Sequence, residues 1–144
     1  MKTKIHALAG LIGFLTILSF WSSTLYSELF GSHEMVTYVK TMILKGMFIL
    51  IPAMIVVGAS GMNLGGKRRD VKTLAKKERM PFIAFNGLVV LLPAAFFLQS
   101  KAVAGEFDTV FYIIQMIELF AGATNLTLMG LNIRDGRSLT RHRK

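Results

Sequence analysis

Four long runs of apolar residues constrain this chain more than any other feature of its sequence. They cover approximately residues 5–30, 41–64, 81–99 and 109–133. The hydrocarbon core of a bilayer is about 30 Å thick, and a helix needs about 20 residues to cross it. Because backbone polar groups in lipid must be bonded within their own segment, each run is predicted to be a transmembrane helix. Hydrophobic residues make up 53% of the 144 residues, a larger share than a soluble domain of this size tolerates.

The basic residues predict the direction of the four helices. Of the 17 Lys and Arg residues, two lie in residues 1–4, seven in residues 65–80 and five in residues 134–144. Four crossings place these three segments on one side, and loops rich in Lys and Arg stay in the cytoplasm. We therefore predict an all-α, integral membrane, up-down-up-down four-helix bundle with a cytoplasmic basic loop (65–80), a cytoplasmic basic tail (134–144) and both termini inside. This orientation accounts for the net charge of +9 without nucleic-acid binding.

Motifs that would define an enzyme are absent from the sequence. There is no cysteine, which excludes disulfides, thiolate metal sites and cysteine nucleophiles. No nucleophile elbow, phosphate loop, metalloprotease helix or nucleotide fingerprint is present. The sequence therefore assigns no enzyme class.

Polar and small residues form one stripe along the fourth apolar run. At steps of three and four residues it contains Gln115, Glu118, Gly122, Asn125, Met129 and Asn132. Such a face does not favour lipid, so we predict that it lines the bundle interior or a subunit contact, either as a structural hydrogen-bond network or as a functional site. Counted from the outer ends of their runs, Lys45 and Glu118 lie at similar depth, and counted from the inner ends they differ by about one helical turn. We predict that they pair, the alternative being that Lys45 extends to the headgroups.

A histidine above two glycines suggests a haem site in the first run. His6, Gly10 and Gly13 share one helix face, which offers an imidazole ligand and room for a flat macrocycle. An interfacial histidine beside headgroups is the alternative. A second axial ligand to haem b would be Met129, His142 or His6 of a second copy.

Two further patterns predict weaker sites. Glu28, His33 and Glu34 cluster in sequence and would provide ligands for a divalent metal together with Glu106 or Asp108, or simply form a solvated acidic rim. Gly61-x-x-x-Gly65 matches the small-residue pattern of helix contacts and favours a homodimer or a larger membrane complex. Pro52 and Pro93 are expected to kink their helices.

Three segments of the sequence resemble a family of small, uncharacterised bacterial four-span inner-membrane proteins. They are residues 28–34 (ELFGSHE), 79–87 (RMPFIAFNG) and 130–136 (GLNIRDG). The resemblance implies a multi-pass protein of the bacterial inner membrane and no particular reaction. Four-helix membrane b-type cytochromes are similar in architecture only.

Three functional hypotheses follow from these features. The first is an electron-transfer protein that binds haem b or a quinone, based on the His6 face and the polar stripe. The second is a small proton-coupled transporter that uses Glu118. The third is a non-catalytic membrane subunit or assembly partner that docks through the stripe.

Overall fold

The structure is almost entirely helical. The computed structural model of the protein describes residues 1–66 and 68–141. It contains α1 (Lys2–Phe30), α2 (His33–Gly65), α3 (Val71–Phe85), a π-helical segment (Asn86–Leu91), α4 (Leu92–Val103) and α5 (Thr109–Arg141). Because the π-helical segment joins α3 to α4 directly, Val71–Val103 is one continuous helix, here called the third span.

Within the described residues, four helices are long and apolar enough to cross a membrane. They are Lys2–Phe30, His33–Gly65, Val71–Val103 and Thr109–Leu139. Many of their large apolar side chains are exposed on the outside of the bundle, as a lipid-facing surface requires. The prediction of an all-α, multi-pass membrane protein built as a four-helix bundle is confirmed.

The second helix begins eight residues before the predicted start of its span at residue 41. Ser32 caps it, because the Ser32 hydroxyl oxygen accepts a hydrogen bond from the backbone N–H of Met35 at 3.2 Å. Only Gly31 and Ser32 separate α1 from α2. A cap satisfies an otherwise unpaired backbone donor, so the polar residues before the apolar run still form helix.

Residues 71–80 of the predicted basic loop 65–80 belong to α3. Asp70 caps α3 by accepting a hydrogen bond from the Thr73 backbone N–H at 3.0 Å. Pro81, the first residue of the predicted third run, therefore lies inside α3 rather than at its start. Lysine and arginine are good helix formers, and hydropathy detects only the part of a helix that suits lipid.

The last helix also extends beyond its predicted span. It runs from Thr109 to Arg141 rather than ending near residue 133. Gly136, three residues beyond the predicted end of the span, also lies inside it. A single glycine weakens a helix by about 1 kcal/mol, which neighbouring contacts offset here, so it does not mark a helix end reliably.

The helices pack through small residues and a limited apolar core. The most extensive contact joins α1 to α2, while α5 contacts α1 and the third span. One core cluster contains Val36, Leu98, Ala102 and Phe111, and another contains Ile17, Ile83 and Met129. Both clusters lie between helices that are distant in sequence, so they hold the bundle together.

The two internal prolines have different surroundings. The second helix continues as α-helix through Pro52. In the third span, the π-helical segment ends at Leu91, two residues before Pro93, and the Leu92 N–H donates to the Gly87 carbonyl, five residues earlier. Proline has no N–H to donate, and π-helical turns accommodate local changes in the bonding pattern. This segment places Asn86 at its first position.

Candidate functional site: a buried lysine–glutamate cluster

A lysine and a glutamate are buried together between α2 and α5. Only 1% of the Lys40 side chain and 13% of the Glu118 side chain are exposed, and Lys40 Nζ lies 3.0 Å from Glu118 Oε1. Lys40 also donates to Gln115 Oε1, and Gln115 Nε2 donates to Glu118 Oε1 at 3.1 Å. We call Lys40, Gln115 and Glu118 the Lys40 cluster. The charges compensate each other, which is the arrangement that buried ions in a membrane helix require.

The predicted pairing of Glu118 with Lys45 is wrong. The structure gives this carboxylate Lys40 as its partner, while Lys45 is exposed. Five residues turn an α-helix by about 500°, so Lys40 and Lys45 lie about 140° apart around α2. Both cannot face α5.

A small cavity lies beside the Glu118 side chain. Its volume is about 60 Å³, and all four spans line it, including Phe20 and Trp21 from α1, Met47 from α2, Ala95 from α4 and Glu118 from α5. The cavity exceeds the roughly 15 Å³ that one water molecule needs. Glu118 is therefore one of the residues that line a space between the spans large enough for a water molecule, and most of the other lining side chains are apolar.

Trp21 fixes one wall of this cavity. Its Nε1 donates to the Leu119 carbonyl oxygen on α5 at 2.9 Å. Gly122 allows the ring to approach, since a Cβ there would lie only 2.9 Å from Trp21 Cδ1. A buried tryptophan needs a partner for its N–H, and α5 provides one.

Glu28 adds a second carboxyl group near the Lys40 cluster. It lies in the last turn of α1, and electrostatic interactions connect it with Lys40, Glu118 and His33. Its Oε1 is buried, and no hydrogen-bond donor within the described residues reaches it. Glu118 Oε1 accepts two hydrogen bonds, so the two carboxyl groups have different surroundings.

A pair of asparagines forms a second polar group further along α5. Asn86 Nδ2 donates to Asn125 Oδ1 at 2.9 Å and to the Ala121 carbonyl oxygen at 2.8 Å. Asn125 Nδ2 in turn lies 3.4 Å from the Ile83 carbonyl oxygen. Asn125 is only 2% exposed, so α5 and the third span are joined by amides at this level.

A third polar group joins α3 to the far end of the stripe. Arg79 Nη1 donates to Asp135 Oδ2 at 2.8 Å and to Asn132 Oδ1 at 3.2 Å. From Gln115 to Asp135, α5 rises about 30 Å, roughly the thickness of the hydrocarbon core. The three groups therefore follow one side of α5 over the thickness of a membrane.

The predicted orientation of the stripe is confirmed. Its members Gln115, Gly122, Asn125, Met129 and Asn132 are buried, and Glu118 is mostly buried. The sequence did not identify Lys40, Asn86 or Arg79 as partners of this stripe. Asn86 was detectable as an amide inside an apolar run, but Lys40 and Arg79 lay outside the predicted spans.

The face predicted to hold haem is packed against α2. His6 Nδ1 lies 2.9 Å from Ser60 Oγ. A Cβ at Gly13 would lie 3.1 Å from Met54 Sδ and 3.6 Å from Met129 Cε, and one at Gly10 would lie 3.9 Å from Val57. These side chains occupy the space that the macrocycle would need, so the residues present do not form a haem pocket in this packing. Haem binding stays a prediction, and His142 lies outside the described residues.

The sequence also predicted a divalent-metal site at Glu28, His33 and Glu34. No group of three His, Cys, Asp or Glu side chains in residues 1–66 and 68–141 comes together to hold a metal. His33 instead stacks on Phe107 with ring centroids 3.9 Å apart, and Glu34 is exposed.

The predicted small-residue face of α2 is used inside the chain. A Cβ at Gly61 would lie 3.2 Å from His6 Cε1, and one at Gly65 would lie 3.1 Å from Lys77 Cε. These glycines therefore let α1 and α3 approach α2. The homodimer stays a prediction. The Gly61-x-x-x-Gly65 pattern no longer supports it, because both glycines face side chains of the same chain.

Comparison with known proteins identified no relative of the chain: no protein family, curated protein or solved structure matches it.

Proposed function

We propose that the protein is a small proton-coupled carrier in the bacterial inner membrane, with Glu118 at its coupling site. The observation that carries this proposal is the buried Lys40–Glu118 pair beside a cavity lined by all four spans. Ionisable groups inside a membrane bundle are costly and typically mark ion or proton pathways. A carboxylate that borders an internal cavity is able to exchange a proton with water or solute there.

Stability alone is a weak reason for such a pair. Well-packed apolar residues often stabilise a protein as much as a buried ion pair does, or more. A Lys–Glu pair differs from them because its charge changes when a proton is gained or lost. This favours a role in coupling over a role in packing.

The asparagine pair and the Arg79–Asp135 group support a path through the bundle. They follow Glu118 at the levels of Asn125 and Asn132, seven and fourteen residues further along α5. Seven residues rise about 10.5 Å, so water molecules would have to bridge the levels. Opening and closing of the cavity would then control which side of the membrane the site contacts.

The proposed carrier has an up-down-up-down topology with both termini in the cytoplasm. In support, His6 contacts Ser60 while Gly13 faces Met54, as expected for antiparallel α1 and α2. Arg79 contacts Asp135 while Asn86 contacts Asn125, which fits the same relation between α3 and α5. The distribution of Lys and Arg supports the cytoplasmic position of the termini.

Solute-driven proton movement in vesicles tests the carrier directly. The purified protein is reconstituted in liposomes that contain a pH-sensitive dye, and gradients of Na⁺, K⁺, Mg²⁺, small amines, small carboxylates and amino acids are imposed in turn. We expect at least one gradient to change the internal pH well above the level in empty liposomes. Glu118→Gln should abolish this signal, because the amide keeps the shape of the side chain and does not titrate.

Glu106→Gln is the matched control. Glu106 is an exposed carboxylate in the loop before α5 that interacts with Lys101, so its removal should leave the signal intact. The proposal is overturned if none of these gradients moves protons in wild-type vesicles, or if Glu118→Gln transports as well as the wild type.

A further inference from the structure

We propose that Glu28 and Glu118 form a two-carboxylate site that shares Lys40 and holds one exchangeable proton, which resides on Glu28. This inference rests on the proposed function, because it assigns the coupling proton of the same site to specific atoms. It adds Glu28, which lies in α1, to the Lys40 cluster formed by residues of α2 and α5.

The two carboxyl groups differ in the donors that reach them. Glu118 Oε1 accepts hydrogen bonds from Lys40 Nζ and Gln115 Nε2, at 3.0 and 3.1 Å. Glu28 Oε1 is buried, and no donor in the described part of the chain reaches it. Hydrogen bonds to an ionised carboxylate favour the charged form, whereas burial without them disfavours it. The carboxylate charge therefore belongs on Glu118 and the proton on Glu28.

Counting charges around Glu28 leads to the same assignment. The charged groups that act on it are Lys40 and His33 from α2 and Glu118 from α5, and the described residues of the third span add none. His33 is exposed and stacked on Phe107, so water solvates its ring. One buried lysine, ion-paired with Glu118, then acts electrostatically on two carboxyl groups. Binding one proton leaves the site neutral, which avoids an uncompensated buried charge.

The positions of the two groups suggest a direction of transfer. Glu28 lies in the last turn of α1, near the end of the bundle, whereas Glu118 borders the cavity. When the proton moves inward, the O–H bond of Glu28 breaks and an O–H bond to Glu118 forms. Glu28 becomes the carboxylate beside Lys40, and the net charge of the site does not change.

Infrared spectroscopy of the protein, purified near neutral pH in an alkyl-glycoside detergent that contains no ester carbonyl, tests this assignment. A protonated carboxyl group has a C=O stretching band that carboxylates lack, and we expect one such band in the wild type. Glu28→Gln should remove it by deleting the protonated group. Glu118→Gln should remove it too, because Glu28 would then pair with Lys40 as a carboxylate. Glu34→Gln, at an exposed position near the start of α2, is the control and should keep the band.

Loss of the band in both variants supports the shared proton, provided that circular dichroism and gel filtration match the wild type. The inference is overturned if the wild type has no such band, or if the band persists in Glu28→Gln. Lys40→Met provides an independent check, because two carboxyl groups without a lysine should both be protonated and double the band. An unchanged band in folded Lys40→Met would also contradict the inference.

The infrared result does not depend on transport. Loss of the band in both variants, with no proton movement in vesicles, would overturn the carrier and leave the shared proton supported. Transport that requires Glu118, together with a band that persists in Glu28→Gln, would overturn the shared proton and leave the carrier supported.

Discussion

Lys40 and Lys45 lie on the same helix, but their replacement should have very different consequences. Lys40→Met leaves Glu118 without its cation, and breaking a buried ion pair typically costs about 3–5 kcal/mol. Lys45 is exposed, so Lys45→Met should change the free energy of unfolding by no more than about 0.5 kcal/mol. Detergent-induced unfolding followed by circular dichroism measures both values.

The double variant Lys40→Met with Glu118→Leu completes this test. Removing both side chains eliminates the buried carboxyl group that has lost its lysine, so the double variant should recover much of the loss caused by Lys40→Met alone. Equal and small effects of Lys40→Met and Lys45→Met would show that the Lys40–Glu118 contact contributes little to the fold.

The sequence identified one half of this ion pair and not the other. Glu118 was recognisable because a carboxylate in an apolar run needs a partner, and its stripe indicated which way it faces. Lys40 was excluded because α2 was expected to begin at residue 41. Counted from the actual start at His33, Lys40 lies about 10 Å into its helix, and Glu118 lies about 14 Å from Thr109. The error in the helix end therefore became an error in the partner.

Two glycines in α2 allow a matched test of helix packing. A Cβ at Gly46 would overlap the Phe20 ring of α1, whereas nothing lies within 4 Å of one at Gly58. Alanine stabilises a helix by roughly 0.5–1 kcal/mol relative to glycine. Gly58→Ala should therefore raise the free energy of unfolding by up to that amount. Gly46→Ala should lower it by about 1–3 kcal/mol, because crowding a packed contact forces a rigid ring to move.

The same unfolding measurement distinguishes the two glycine variants. Their difference is more informative than either value, since the propensity term is common to both. If Gly46→Ala and Gly58→Ala were equally stabilising, α1 and α2 would not be packed as closely as the Phe20 contact indicates.

At the level of helices, the apolar centres were predictable and the polar ends were not. Hydropathy responds to the surroundings of a side chain, while a helix continues as long as its backbone bonds are made. Ser32 and Asp70 extend α2 and the third span because each caps a helix beyond the apolar run. The π-helical segment before Pro93 begins at Asn86, whose hydrogen bond to Asn125 on α5 joins residues too distant in sequence for a local pattern to contain.

For the whole molecule, the decisive prediction is its direction in the membrane. The chain contains no cysteine, so a single introduced cysteine reports one position without background. Glu106→Cys lies in the exposed loop before α5, and Ser138→Cys lies in the last turns of α5. In intact spheroplasts, a membrane-impermeant maleimide should label Glu106→Cys at once and Ser138→Cys only after lysis. The physical reason is that residues 65–80 and 134–144 are rich in Lys and Arg, which the membrane potential and anionic lipids retain inside. Labelling of Ser138→Cys in intact cells would contradict the cytoplasmic tail. It would also place Glu28 on the inner side of the membrane, so that the proposed coupling site would receive its proton from the cytoplasm.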